Sequence, residues 1–232
     1  MDDWSDCQRN LGLSFNDKAL LQQAFAHSSY LNENPSFSLP SNERLEFLGD
    51  AVLDLIVTER LYREFPNLPE GELTSIRASL VCHETLAEIA SSLKLGNYLL
   101  LGCGEEISEG RKRQSNLADV TEALIGALYL DQGMEKTSEF VLENLKPFWE
   151  RIKRGEVSLN YKALLQELSQ AEKQTTPVYR LVETTGPDHD KRFTVEVMIA
   201  SEILGVGTGK NKKFAEIEAA KLAWEKLRSS NG

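Results

Sequence analysis

Residues 42–53, Asn-Glu-Arg-Leu-Glu-Phe-Leu-Gly-Asp-Ala-Val-Leu, constrain this chain more than any other stretch. They read as a helix, and at about 100° per residue Glu43, Glu46 and Asp50 share one narrow face. Leu45, Phe47, Leu48, Ala51, Val52, Leu53, Leu55 and Ile56 make the rest of the turn apolar, which predicts a mostly buried helix. Carboxylates clustered beside a core repel one another and lose hydration, and a cation is the economical compensation. The competing reading is an amphipathic helix with a solvated acidic face. Asp54, a full turn past Asp50, reads as a bystander or as support behind the ligands.

Residues 116–131, Asn-Leu-Ala-Asp-Val-Thr-Glu-Ala-Leu-Ile-Gly-Ala-Leu-Tyr-Leu-Asp, form a second acidic stretch. Asp119 and Glu122, three residues apart, share a face, and Ala123, Gly126 and Ala127 leave room for a neighbouring helix. Two buried-type helices with inward carboxylates suit a metal held between them. Alternatively, Asp119 caps its helix and Glu122 is solvated. The donors are hard oxygens with no thiolate or imidazole pattern, which selects Mg²⁺ or Mn²⁺ over zinc. The Glu-x-x-His pairs of a di-iron bundle do not occur. With four or five carboxylates, two metals fit the count, and such a pair activates water and stabilises a leaving oxygen in phosphodiester hydrolysis. His27 and His83 read as hydrogen-bonded helix residues rather than ligands.

The formal net charge of −10 argues against nucleic-acid binding, but it is uneven. Residues 160–232 carry 11 Lys+Arg against 10 Asp+Glu, and residues 1–159 carry 15 against 26. Bound cations would reverse the local charge where an acidic unit meets a polyanion. Cys7, Cys82 and Cys103 stand far apart, which excludes a disulfide framework or a CxxC zinc site and fits a reducing cytoplasm. The acidic residues at 2–6 do not read as a signal peptide, and no apolar run approaches a membrane span. The expectation is a soluble cytoplasmic protein without membrane attachment or organic cofactor.

Along the chain, residues 11–31 are amphipathic after an Asn16-Asp17 cap, and 32–41 form a Pro-, Asn- and Ser-marked loop. The acidic helix runs to about Phe65. A further helix is expected from Thr74, as its N-cap, to roughly Leu93, followed by an exposed polar loop over 105–115. The division predicted is 1–152, an all-α unit; 153–159, a charged linker; and 160–232, an α-β-β-β-α unit. The latter comprises a helix over 161–170, strands over 177–182, 193–199 and 202–207, and a helix over 214–228. Gly186-Pro187 marks a turn. Lys210, Lys212 and Lys213 sit where the last helix starts, a position its dipole makes favourable for an anion. A solvated lysine cluster is the alternative.

Residues 42–50 resemble the signature of bacterial ribonuclease III, and 117–126 are similar to that family's second acidic motif. The C-terminal part resembles a double-stranded RNA-binding domain through Leu165-Gln166-Glu167, Gly186-Pro187-Asp188-His189 and residues 212–216, Lys-Lys-Phe-Ala-Glu. The resemblance implies an all-α endonuclease domain followed by an α+β RNA-binding domain. It implies Glu46, Asp119 and Glu122 as Mg²⁺ ligands, Asp50 and Glu122 as the essential catalytic pair, and Glu43 and Glu70 as supporting carboxylates. It further implies a homodimer that cuts both strands of duplex RNA, leaving 5′-phosphates and short 3′ overhangs, in ribosomal RNA precursors and structured mRNA. Gln166, Glu167 and Gln170 would face one minor groove, His189 the next, and Lys212 and Lys213 the phosphates between, with Lys210 beside them as a further RNA-binding residue of the lysine cluster. Two positions depart from the family pattern: Ser28, where arginine is frequent, and Asn211, where serine is common.

Two other functions are compatible with parts of this pattern. A duplex-RNA-binding protein with a silent, dimerising acidic domain would have no reason to keep repelling charges beside a core. A carboxylate-bridged redox protein lacks its histidines and leaves the C-terminal unit unexplained.

Overall fold

The structure, a computed structural model, describes residues 4–153, 161–187 and 191–230. The chain forms two compact units. The linker predicted at 153–159 falls almost entirely outside the described residues, as does His189.

The first unit, residues 4–69 and 76–153, is helical. It begins with α1 (Ser5–Leu11), α2 (Lys18–Ala24) and α3 (Ser28–Glu33), so the amphipathic stretch over 11–31 is interrupted rather than continuous. Asp17 caps α2 as expected, its carboxylate accepting the Ala19 N–H. The acidic helix is α4 (Glu43–Glu64). The helix expected from Thr74 to about Leu93 is two helices, α5 (Glu70–Leu80) and α6 (His83–Ser92). Thr74 does not cap α5: it lies one turn inside, its hydroxyl donating to Glu70 Oε1 at 3.0 Å. Cys82 is extended (ψ 156°), which ends the helical path, and Thr85 donates back to the Ser79 carbonyl at 2.8 Å.

The stretch over 105–115 is also more ordered than a polar loop. It contains α7 (Cys103–Ile107) and a 3-10 turn (Gly110–Lys112) before α8 (Gln114–Lys153). Arg111 fastens it by donating to the Gly96 and Leu99 carbonyls at 3.0 and 2.7 Å. Buried Asn116 donates to Glu105 and to the Gly110 carbonyl. Helix α8 bends at Gly133, whose φ of 77° leaves the helical region. Asp131, just before the bend, accepts the Asn16 and Asp17 N–H groups. The core lies where α4, α6 and α8 meet, around Leu53, Leu61, Leu86, Leu124 and Leu128.

Helix α4 is less buried than its composition predicts. Phe47, Leu55 and Tyr62 are 81%, 56% and 75% exposed. Together with exposed Ala51 they form one stripe at intervals of four, four and seven residues. The opposite stripe, Leu45, Gly49, Val52, Leu53, Ile56 and Val57, faces the core.

The second unit runs α9 (Tyr161–Lys173), β1 (Val178–Thr185), β2 (Arg192–Ile199), β3 (Glu202–Gly209) and α10 (Lys212–Ser230), in the predicted order. The sheet is antiparallel, β1-β2-β3. Alternation along β2 sends Val195, Val197 and Ile199 inward against Ala215, Ala219 and Ala223 of α10 and Leu165 of α9. On β3 a Cβ at Gly207 would stand 2.2 Å from the Ala219 nitrogen, so that residue lets helix and strand meet at backbone distance.

Candidate metal centre and nucleic-acid interface

The carboxylates meet because two glycines allow α4 and α8 to cross in backbone contact. A Cβ on Gly49 would lie 1.8 Å from the Glu122 carbonyl oxygen, and one on Gly126 would lie 2.2 Å from the Leu45 carbonyl oxygen. The crossing therefore tolerates no side chain on either helix. Glu46 precedes Gly49 by three residues and Glu122 precedes Gly126 by four, so both carboxylates leave from the same turn of the crossing. Glu46, Asp119 and Glu122 bring carboxylate oxygens within 4.8 Å of one another. Hydrophobic and acidic periodicity does not mark Gly49. Its signal is that it is the small residue between Glu46 and Asp50, matching Gly126 on the partner helix.

Three acids this close, partly out of water, are hard to ionise together. Burial pushes Glu122 up to about 8, reinforced by Asp50, Glu46, Asp119 and Asp54. Glu46 is raised by burial and then by Asp119 and Glu43, with His83 opposing. Asp119 is raised by burial, with His83 and His27 opposing. A divalent cation would relieve all three, and the all-oxygen donor set fits Mg²⁺ or Mn²⁺.

The other predicted residues occupy different positions. Asp50 is exposed, one turn beyond Glu46, and contributes charge to the cluster rather than one of its three grouped donors. Glu43 is exposed and accepts a hydrogen bond from the Ser41 hydroxyl at 3.0 Å. Glu70 is exposed at the first position of α5. Asp54, read as a bystander, adds to the charge felt by Glu122. His27 and His83 are read from the sequence as hydrogen-bonded helix residues. His27 does serve as a hydrogen-bonded cap, its Nδ1 accepting the Ser29 N–H at 3.2 Å, but both rings lie within electrostatic range of Asp119. Ser28, the departure from the family pattern, starts α3 and is half-buried.

In the second unit Gln166, Glu167 and Gln170 are exposed along one face of α9. Lys210, Lys212 and Lys213 are exposed at the start of α10. Among the described residues no carboxylate forms an ion pair with these three lysines, whereas Lys162 pairs with Glu216 at 2.7 Å. Asn211 caps α10, its Oδ1 accepting the Phe214 N–H at 2.9 Å, the work a serine would do there.

Comparison with known proteins accounts for both units. Residues 17–148 match a family model described as ribonuclease-III-like, and residues 161–227 match the double-stranded RNA binding motif. Together with the paired acidic helices, these define a double-strand-specific endoribonuclease. Ribonuclease 3 of Dehalococcoides mccartyi strain CBDB1 is 44% identical over 228 residues, covering 98% of this chain and 96% of that protein. Ribonuclease 3 of Natranaerobius thermophilus is 47% identical over 222 residues, covering 96% and 95%. The crystal structure of the nuclease domain of ribonuclease III from Campylobacter jejuni is 39% identical, with a TM-score of 0.57, covering 63% of this chain and 96% of that one. The chain belongs to the bacterial ribonuclease III family.

Proposed function

We propose that this protein hydrolyses phosphodiester bonds of duplex RNA with Mg²⁺, Mn²⁺ substituting, held by Glu46, Asp119 and Glu122. The observation that carries this is the convergence of those three carboxylates, from two helices, within 4.8 Å. When bound, the metal supplies an activated water and compensation for charge on the leaving oxygen. Glu122 must lose its proton for the ligand set to form, so metal loading and deprotonation are linked. Asp50, exposed beside the cluster, faces the substrate side and, with Glu122, orients the attacking water and takes its proton. The water oxygen bonds to phosphorus, the P–O3′ bond breaks, and the products are a 5′-phosphate and a 3′-hydroxyl. Glu43 and Glu70 are supporting carboxylates along the cleft or at a subunit boundary.

The active form in this proposal is a homodimer, cutting both strands to leave short 3′ overhangs. The exposed stripe of Phe47, Ala51, Leu55 and Tyr62 supports it, because a second copy would remove that apolar surface from water. A further structure of the Campylobacter jejuni nuclease domain (39% identical, TM-score 0.58) is titled for flexibility in a region involved in dimer formation. Residues 1–152 act as the catalytic domain, 153–159 as the linker and 160–232 as the RNA-binding domain. In that domain Gln166, Glu167, Gln170 and His189 face minor grooves and Lys210, Lys212 and Lys213 the phosphates. Ribosomal RNA precursors and structured mRNA in the cytoplasm are the proposed substrates; no helix among the described residues is long and apolar enough to cross a membrane.

The test is incubation of a long, perfectly paired RNA with wild-type protein and Glu122→Ala, in Mg²⁺ and in EDTA. Discrete short duplexes are expected only from wild-type protein with Mg²⁺, while Glu122→Ala still binds RNA. Tight binding without cleavage in Mg²⁺ or Mn²⁺ would instead make the acidic domain a dimerisation module.

A further inference from the structure

At the mouth of α10 the three exposed lysines are not equivalent. Lys212 and Lys213 belong to the first turn of the helix, but Lys210 precedes it and has no helical backbone to place it. Its ammonium instead stands 4.9 Å from the ring centroid of Phe214. Three local features bring them together. Gly209 allows the end of β3 to touch the first turn of α10: a Cβ there would lie 2.7 Å from Phe214 Cβ and 2.6 Å from the Ala215 nitrogen. Asn211 fixes that turn by accepting the Phe214 N–H. Helical side chains lean toward the N-terminus, so the Phe214 ring leans back over the start of the helix, where Lys210 passes.

An aromatic side chain that is 49% exposed, with a lysine ammonium over its ring, contributes little to the core. We propose that Phe214 is a positioning residue for RNA: its ring face holds the Lys210 ammonium beside Lys212 and Lys213, so that three cations meet the phosphate backbone as one preformed group. This rests on the reading of the second unit as the duplex-RNA binder and adds a member that carries no charge and makes no polar contact. A cation on a ring face keeps its outward N–H donors free for phosphate. It has also already lost much of the rotamer freedom that a loose lysine would lose on binding.

The experiment measures the affinity of the full-length protein for a perfectly paired RNA across a range of salt concentrations, in EDTA so that no cleavage occurs. The variants are Phe214→Leu, Phe214→Tyr, Lys210→Gln, the Phe214→Leu/Lys210→Gln double and, as reference, Lys212→Ala with Lys213→Ala. Phe214→Leu is expected to weaken binding by about three- to tenfold and to lower the salt slope by about one, matching Lys210→Gln. The double variant is expected to bind no more weakly than either single one, and Phe214→Tyr, which keeps a ring face, to bind as wild type. Wild-type affinity for Phe214→Leu, or additive losses in the double variant, would overturn the positioning role while the reference variant still binds weakly. An unchanged reference variant would overturn the phosphate-binding reading itself.

Discussion

Replacing Glu122 by glutamine removes a charge that the metal-free fold accommodates poorly. The residue is 8% exposed, and burial with the neighbouring carboxylates pushes its carboxyl up from an ordinary 4.5 to about 8. Between those values the folded state holds a proton that the unfolded state has released, so stability falls as pH rises through the window. The loss amounts to about 3 kcal/mol by pH 7 and levels off near about 5 kcal/mol above pH 8. A neutral amide would carry no such penalty, so in EDTA at pH 7 Glu122→Gln should be more stable than wild type by about 3 kcal/mol. Its pH dependence should be shallower but not flat, because Glu46 and Asp119 are also raised and titrate with the same sign. Urea unfolding from pH 5 to 8.5 measures this, reading Trp4 and Trp149 of the helical unit with Trp224→Phe silencing the other. Adding Mg²⁺ should reverse the order, since wild type gains stability by binding the ion and the variant loses a ligand. Flat wild-type stability between pH 5 and 8 in EDTA, or a less stable variant at pH 7, would refute the electrostatic account.

Four further outcomes follow from geometry. Gly49→Ala, placing a methyl 1.8 Å from the Glu122 carbonyl, should cost about 3 kcal/mol or more and abolish Mg²⁺-dependent cleavage. Gly104→Ala, with nothing within 4 Å of its added carbon, should be tolerated, and thermal unfolding with a cleavage assay checks both. The β2–β3 hairpin turns through Ala200 and Ser201 at φ 48° and 68°, so Ala200→Asn with Ser201→Gly should stabilise the second unit by about 1–2 kcal/mol, read by Trp224 fluorescence in urea. Phe47→Glu should leave the helical fold intact, because the side chain is 81% exposed, and, if the proposed homodimer pairs through this stripe, leave a monomer in sedimentation equilibrium where wild type is a dimer.

Much of this protein is legible in its sequence because local signals and global packing agree. The 3.6-residue pattern places the boundaries of α4 within a residue or two, and the alternation over 193–199 marks the inward face of β2. Reading fails where the chain breaks without Gly or Pro. Cys82 ends one helical path and begins another, and Glu109 takes a left-handed conformation (φ 57°) that glycine usually supplies. It fails also where polar composition suggests a loop, since Arg111 and Asn116 satisfy backbone carbonyls and order residues that look solvated.

The sequence alone determined that two apolar helices each carry clustered carboxylates, that the donors on offer there are oxygens of the kind hard cations prefer, and that a balanced α-β-β-β-α unit follows an acidic one. These are properties of residue type and spacing. Tertiary structure decided which acids converge. Glu43, Glu46 and Asp50 are near equals in angular position, but only Glu46 groups with Asp119 and Glu122, because Gly49 and Gly126 fix where α4 and α8 touch. It also decided that Phe47, Leu55 and Tyr62 remain outside the core. Hydrophobic periodicity registers how apolar a face is; which surface covers that face depends on contacts between residues far apart in the chain.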